Sequence, residues 1–99
     1  IVFSLLTRGI PILHYGDEQY FSGGNDPFNR EIMFSKFNQE SDLYNIIKKI
    51  MKLRNDKLIW TKAQIQRYAD NDFYAFTRGD VLACFTNKNY NINRSITYI

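Results

Sequence analysis

Apolar side chains recur at three- and four-residue steps in the middle of the chain, a spacing that predicts an amphipathic helix between Ser41 and Asp56. Ser41 is a suitable N-cap, and Asp42 places a carboxylate in the first turn, where the helix dipole favours it. The apolar stripe consists of Leu43, Ile46, Ile47, Ile50 and Leu53.

From Leu58 onward the pattern changes to aromatic and β-branched residues in alternation with polar ones, which is typical of strands. Gly79-Asp80 lies between two such runs and predicts a two-residue hairpin turn. A domain boundary is therefore expected between residues 55 and 59. The predicted strands are residues 65–69, 73–78, 81–86 and 92–99.

The beginning of the chain combines a helical pattern over residues 1–8 with a short apolar run over residues 10–15. Gly9 suits the C-cap of the helix. The apolar run, bounded by glycines, predicts a strand covered on both faces in a parallel sheet. Ligands bind beyond the carboxyl ends of such strands, so the polar residues that follow are the candidate site. They are Asp17, Glu18, Gln19, Asp26 and Arg30.

Three linked motifs in this region resemble the eighth strand and following loop of the alpha-amylase family of glycoside hydrolases. They are Gly9-Ile10-Pro11-Ile12, the Gly16-x-Glu18-Gln19 step, and Gly23-Gly24-Asn25-Asp26-Pro27-Phe28-Asn29-Arg30-Glu31. Their order and spacing are most similar to the fungal-type alpha-amylases. The resemblance is close up to about Leu58 and covers the second half only in its general pattern.

The resemblance implies an α/β fold, a TIM (β/α)8 barrel with an antiparallel β domain behind it. A complete barrel needs roughly 250 residues, and the chain has 99, so we expect a C-terminal fragment. Residues 1–57 would be the end of the catalytic barrel, with its eighth strand, substrate loop and eighth helix. Residues 58–99 would be the beginning of the C-terminal β domain.

Within the loop, the resemblance implies that Asp26 and Arg30 bind a glucose unit on the non-reducing side of the cleavage point. A carboxylate accepts hydrogen bonds from adjacent sugar hydroxyls, and a guanidinium donates several in fixed geometry. An ion pair between Asp26 and Arg30 that shapes the loop is the alternative, and both roles can coexist.

The implied activity of the parent protein is retaining endo-hydrolysis of α-1,4-glucosidic bonds in starch, glycogen or malto-oligosaccharides. The three catalytic carboxylates and the usual calcium site of the family would precede Ile1, so no catalytic residue, metal ligand or cofactor is assigned here. The piece alone is expected to be inactive. The resemblance further implies an extracellular, monomeric enzyme. A non-catalytic amylase-like binding protein, and a transglycosylase or α-glucosidase of the same family, are the alternatives.

The remaining side chains with possible chemistry have simpler interpretations. Glu18 is interpreted as structural rather than as the general acid, and His14 as a hydrogen-bonded packing residue. Cys84 lies among apolar residues and is predicted to be buried. Arg78-Gly79-Asp80 spells an adhesion tripeptide, but Gly-Asp between strands is ordinary turn chemistry.

A net charge of +3 does not indicate a nucleic-acid partner. Basic residues near the end of the predicted helix complement its dipole and are expected to stay solvated. They are Lys48, Lys49, Lys52 and Arg54. No run approaches the roughly 20 apolar residues that a membrane span needs, so neither nucleic acid nor membrane is expected as a partner.

Overall fold

The computed structural model describes residues 1–89 together with residues 93, 95 and 97. The helices are α1, Val2–Leu6, and α2, Asp42–Asp56. The strands are β1, Gln64–Ala69, β2, Phe73–Arg78, and β3, Val81–Thr86. Two short 3₁₀ turns cover Asp17–Gln19 and Ile59–Thr61.

Helix α2 begins where the sequence predicts. The Ser41 hydroxyl accepts a hydrogen bond from the Tyr44 amide at 3.2 Å, which satisfies a donor that the first helical turn leaves free. The same hydroxyl donates to the Glu18 carbonyl at 2.9 Å. One side chain therefore caps α2 and holds the preceding loop against it.

The three strands form one antiparallel sheet in the order β1-β2-β3. Arg78 pairs with Val81 across the turn, and Gly79 has a φ of 60°, a left-handed conformation that glycine adopts without strain. The two-residue hairpin and the strands predicted over residues 65–69, 73–78 and 81–86 are thus confirmed, β1 beginning one residue earlier than predicted. The strand predicted over residues 92–99 lies outside the described residues.

A small core forms where α1 packs on one face of the sheet. Phe76 and Ile59 are fully buried, and the half-exposed Phe3 ring contacts the Phe76 ring in a T-shaped arrangement at a centroid distance of 6.2 Å. Phe76 of β2 pairs with Ala83 of β3, so both side chains lie on the same face of the sheet. The buried cluster consists of Leu6, Ile59, Phe76 and Ala83.

Arg78 is one of the most buried side chains, with 3% of its surface exposed. Its guanidinium donates to three backbone carbonyls, one at the end of α1 and two in the 3₁₀ turn that precedes β1. Nε donates to Lys62 at 2.8 Å, Nη1 to Leu6 at 3.2 Å, and Nη2 to Ile59 at 2.7 Å. Burial of Arg78 also removes the adhesion tripeptide as an accessible motif.

Arg54 was expected to be solvated at the end of α2, and that prediction is wrong. Its side chain is buried, and Nη1 donates to the Leu5 carbonyl. Leu5 lies in the last turn of α1, whose carbonyls have no partner within the helix. The helix periodicity alone could not show that α1 would cover this part of α2.

The strand predicted over residues 10–15 is not formed, and none of the strands in the described part of the chain pairs with this segment. Ile10 and Ile12 are 90% and 87% exposed. A buried parallel strand requires neighbours for both its hydrogen bonds and its side chains. The radius of gyration is 16.0 Å, compared with about 13 Å for a compact domain of 100 residues.

Two local predictions are also corrected. Helix α1 ends at Leu6 rather than at residue 8, because Thr7 has the extended conformation. Cys84 is exposed, not buried. The alternation of β3 puts Ala83 in the core, so the next side chain necessarily points to the opposite face.

We predict that Arg78→Met destabilises the sheet. Methionine fills similar volume but donates no hydrogen bond, so three carbonyls lose their partner, at a cost of about 3 kcal/mol. Native-state hydrogen exchange of the β2 amides measures the loss as a lower opening free energy. Lys49→Met, at an exposed position of α2, is the control and should change this value by less than about 0.5 kcal/mol. Equal effects of both substitutions would contradict the assigned role of Arg78.

Candidate functional site

The loop that carries the candidate residues begins at a glycine that no other residue could replace without displacing a neighbour. Gly16 has a φ of 87°, and a Cβ placed on it would lie 2.1 Å from Cδ2 of Phe21. The Phe21 ring in turn contacts Tyr15 edge-on at a centroid distance of 5.8 Å. The turn at Gly16 therefore brings the Phe21 ring into contact with the Tyr15 ring on the other side of the turn.

A carboxylate joins the two sides of the loop. Oε1 of Glu31 accepts hydrogen bonds from the Ser22 amide at 2.8 Å and from the Ser22 hydroxyl at 3.0 Å. These two hydrogen bonds are the main reason that the pKa of Glu31 lies below its usual range, and the charge of Lys36 adds to the effect. Residues 22–31 are thereby closed into a ring by an ionised side chain.

Asp26 and Arg30 are brought together at the outer end of this ring. Nε of Arg30 lies 2.8 Å from Oδ1 of Asp26, and the two side chains are 76% and 64% exposed. The turn that places them is held by hydrogen bonds from the Phe28 amide to the Asn25 carbonyl and from the Arg30 amide to the Pro27 carbonyl. The ion pair that the sequence offered as an alternative is thus present.

This pairing leaves binding capacity unused. The contact uses one carboxylate oxygen of Asp26 and the Nε of Arg30. Within residues 1–89 and 93, 95 and 97, the second carboxylate oxygen and both Nη groups have no hydrogen-bond partner. One acceptor and up to four N–H donors therefore face solvent side by side.

An open groove of about 740 Å³ runs beside the pair. Its lining is mainly apolar and includes the Tyr15 ring, whose hydroxyl accepts a hydrogen bond from the Met33 amide at 3.0 Å. Oδ1 of Asn29 is buried without a partner in the part of the chain that the structure describes. The groove is lined by His14, Tyr15 and residues 29–34.

His14 does not have the packing role that was predicted. Its side chain is exposed, and its ring nitrogen Nε2 lies 3.5 Å from the Asn29 carbonyl, at the limit of a hydrogen bond. No group of three or more potential metal ligands occurs among the described residues. Nor does any helix formed by those residues have the length and apolar character to cross a membrane.

Sequence reasoning located Asp26 and Arg30 but missed the contact between Ser22 and Glu31. Glu31 closes the motif Gly23–Glu31, yet the two partners lie nine positions apart in the sequence, so no periodicity indicated their pairing. The backbone carbonyl of Glu18 has a structural role, because it accepts the hydrogen bond from the Ser41 hydroxyl.

Similar proteins are found along nearly the whole chain. A cyclomaltodextrin glucanotransferase from Thermoanaerobacterium thermosulfurigenes is 38% identical over 98% of this chain and 14% of its own length. A beta/alpha-amylase from Paenibacillus polymyxa is 42% identical over 90% of this chain and 8% of its length. An alpha-amylase from Niallia circulans is 37% identical over 97% of this chain and 19% of its length. No protein-family model matches the chain.

The homologues of this chain are thus glucanotransferases and amylases, the enzymes of the alpha-amylase family of glycoside hydrolases. The broad resemblance found in the sequence is confirmed. The narrower likeness to fungal-type alpha-amylases is not supported by these relatives. The chain spans less than a fifth of the length of the three relatives described above.

We predict that Ser22→Ala raises the pKa of Glu31 toward its usual value, because one of the two hydrogen bonds to the charged form is removed. A carboxylate with a lowered pKa stabilises the closed loop above its unfolded pKa of about 4.3. That contribution is lost as the pH falls through the folded pKa. A carbon-13 NMR titration of the Glu31 carboxyl measures both effects.

Lys36→Ala serves as the comparison in this titration, since Lys36 contributes less to the lowered pKa than Ser22 does. It should raise the pKa of Glu31 by a smaller amount. A larger rise in the Lys36 variant would mean that long-range charge, not the loop closure, sets the pKa.

Proposed function

We propose that this chain is a segment of an α-glucan-processing enzyme of the alpha-amylase family, and that its residue 23–31 loop contributes to a glucose-binding subsite. The observation that carries the proposal is the exposed pair of Asp26 and Arg30 beside an open groove. Homology to amylases and glucanotransferases over this same segment supports it.

The chemistry of the pair suits a sugar. Two neighbouring hydroxyls of a glucose ring each donate and accept hydrogen bonds. The free oxygen of Asp26 can accept from one hydroxyl while an Nη group of Arg30 donates to the other. The mutual ion pair orients both side chains in advance, which reduces the entropy lost on binding.

The groove supplies the second component of carbohydrate recognition. Its apolar lining, with Tyr15 and Phe34, suits the less polar faces of glucose rings, and the loop supplies the hydrogen bonds. A malto-oligosaccharide, starch or glycogen chain that continued from the Asp26–Arg30 pair into this groove would contact both kinds of surface.

For the parent protein we propose retaining endo-hydrolysis of α-1,4-glucosidic bonds. In such a reaction one carboxylate forms a covalent glycosyl-enzyme intermediate and an acid protonates the leaving oxygen. Those groups would lie outside this chain, as would a calcium site. Extracellular location, a monomeric state and a barrel strand formed by residues 10–15 in the parent are part of the same proposal.

Transglycosylation is the second candidate function, because one of the relatives named above is a cyclomaltodextrin glucanotransferase. Hydrolysis and transfer share the glycosyl-enzyme intermediate and differ in whether water or a sugar hydroxyl accepts the glycosyl group. A subsite built by Asp26 and Arg30 serves either reaction, since it holds the donor chain.

We predict that Asp26→Ala and Arg30→Ala in the full-length protein weaken malto-oligosaccharide binding by about tenfold each, the loss of one charge-assisted hydrogen bond or slightly more. The distribution of cleavage or transfer products should shift as well. Calorimetric titration with malto-oligosaccharides of increasing length, together with product chromatography, measures both quantities.

Asp56→Ala is a matched control for these variants. Asp56 forms an ion pair with Lys52 that has the same four-residue spacing and is likewise exposed, but lies on α2. The control should leave affinity and products unchanged. If the Asp26 and Arg30 variants behave like the control, the pair has a structural role only.

We also predict that the 99-residue chain by itself does not hydrolyse starch, since the proposed catalytic carboxylates lie outside it. A reducing-sugar assay on the purified chain, with the full-length protein as positive control, provides the measurement. Starch hydrolysis by the isolated chain would refute the proposed location of the catalytic groups.

A further inference from the structure

A second cavity lies between the residues that follow α1 and the first two strands of the sheet. It has a volume of about 370 Å³ and a mainly polar lining. The lining side chains come from the residues after α1 and from one face of β1 and β2. They are Thr7, Arg8, Gln64, Gln66 and Tyr74.

The Gln64 side chain organises this cavity. Its Oε1 accepts hydrogen bonds from the Thr7 hydroxyl at 3.1 Å and from the Arg8 amide at 2.6 Å. Its Nε2 donates to the Tyr74 hydroxyl oxygen at 3.3 Å. The acceptor of Gln64 is therefore fully used by the protein itself, while one of its N–H donors is not.

The unused hydrogen-bonding groups of the cavity are mostly donors. Tyr74 accepts from Gln64 and so has its own O–H available. The side chains of Arg8 and Gln66 form no hydrogen bond or ion pair within the described part of the chain. The free donors are the Arg8 guanidinium, the two Gln66 side-chain N–H groups, the Tyr74 hydroxyl and one N–H of Gln64. The free side-chain acceptors are Oε1 of Gln66 and the Thr7 hydroxyl oxygen.

Arg8 is the one charged residue that lines the cavity in the described part of the chain. None of its lining residues carries a carboxylate. Arg78 pairs with Gln64 across β1 and β2, so the two side chains lie on the same face of the sheet. Burial lowers the pKa of Arg78, and the positive charges of Arg54 and Arg8 lower it further.

We propose that this cavity binds a small oxyanion, a carboxylate or a phosphate group, with Arg8, Gln66 and Tyr74 as the donors. An oxyanion accepts hydrogen bonds without donating any, which matches a donor-rich cavity. A sugar hydroxyl needs acceptors as well, and the free N–H and O–H donors of this cavity outnumber its free acceptors, since Oε1 of Gln64 is occupied. The proposed site is thus different in chemistry from the Asp26–Arg30 loop and does not depend on the function proposed for it.

The test uses NMR titration of the full-length protein with inorganic phosphate and, separately, with acetate, at constant ionic strength. The side-chain amide signals of Gln64 and Gln66 report on the cavity directly. We expect saturable shifts with at least one anion, and the anion that saturates identifies the class. Arg8→Ala should weaken that binding about tenfold, the value of one charge-assisted hydrogen bond.

Gln66→Ala is a second variant at an exposed strand position, which keeps the test valid if the Arg8 variant does not fold. It should weaken binding by a smaller factor than Arg8→Ala. Arg30→Ala is the control, because it removes an exposed guanidinium from the glucan loop and should leave anion binding unchanged. If Asp26 and Arg30 turned out not to bind glucose, the anion-binding measurement would therefore be unaffected.

Three results would overturn the proposal. The first is that neither phosphate nor acetate gives saturable shifts of the Gln64 and Gln66 amide signals. The second is that the unsubstituted protein and the Arg8 variant bind the anion with equal affinity. The third is that maltose shifts the same amide signals. The last result would identify the cavity as a site for neutral sugars.

Discussion

The structure depends on two buried guanidinium groups that bind the carbonyl end of a very short helix. Helix α1 has only five residues, too few to be stable alone. Arg54 donates to Leu5 and Arg78 to Leu6, and these partners are 49 and 72 positions away in the chain. Because Arg78 also binds Ile59, one side chain holds the helix, the connection after α2 and the sheet together.

The segment that contains the residue 23–31 loop is attached to this frame by polar contacts rather than by a core of its own. Gln19 and Asn38 exchange two hydrogen bonds, and the Ser41 hydroxyl ties the Glu18 carbonyl to the start of α2. These contacts give the loop a defined shape while much of its apolar surface is exposed. A loop of this kind can expose charged groups because little of it is needed for packing.

The two proposed sites differ in hydrogen-bonding character. At the loop, Asp26 and Arg30 combine an acceptor with donors, which suits the hydroxyls of a sugar. At the cavity beside α1, Gln64 uses its acceptor within the protein and leaves donors around Arg8, which suits an anion. The difference arises from local pairing, since a guanidinium is present in both places and only one has a carboxylate beside it.

Local pattern in the sequence determined α2 with its Ser41 cap, the hairpin at Gly79, and the loop motif that contains Asp26 and Arg30, because each depends on residues close together in the chain. Only the tertiary structure decided whether residues 10–15 form a strand and whether the Arg54 side chain is buried. A parallel strand exists only with neighbouring strands, and a charged side chain is buried only where distant carbonyls receive it. Periodicity indicates which face of a helix or strand is apolar, but it does not indicate which other element will pack against that face.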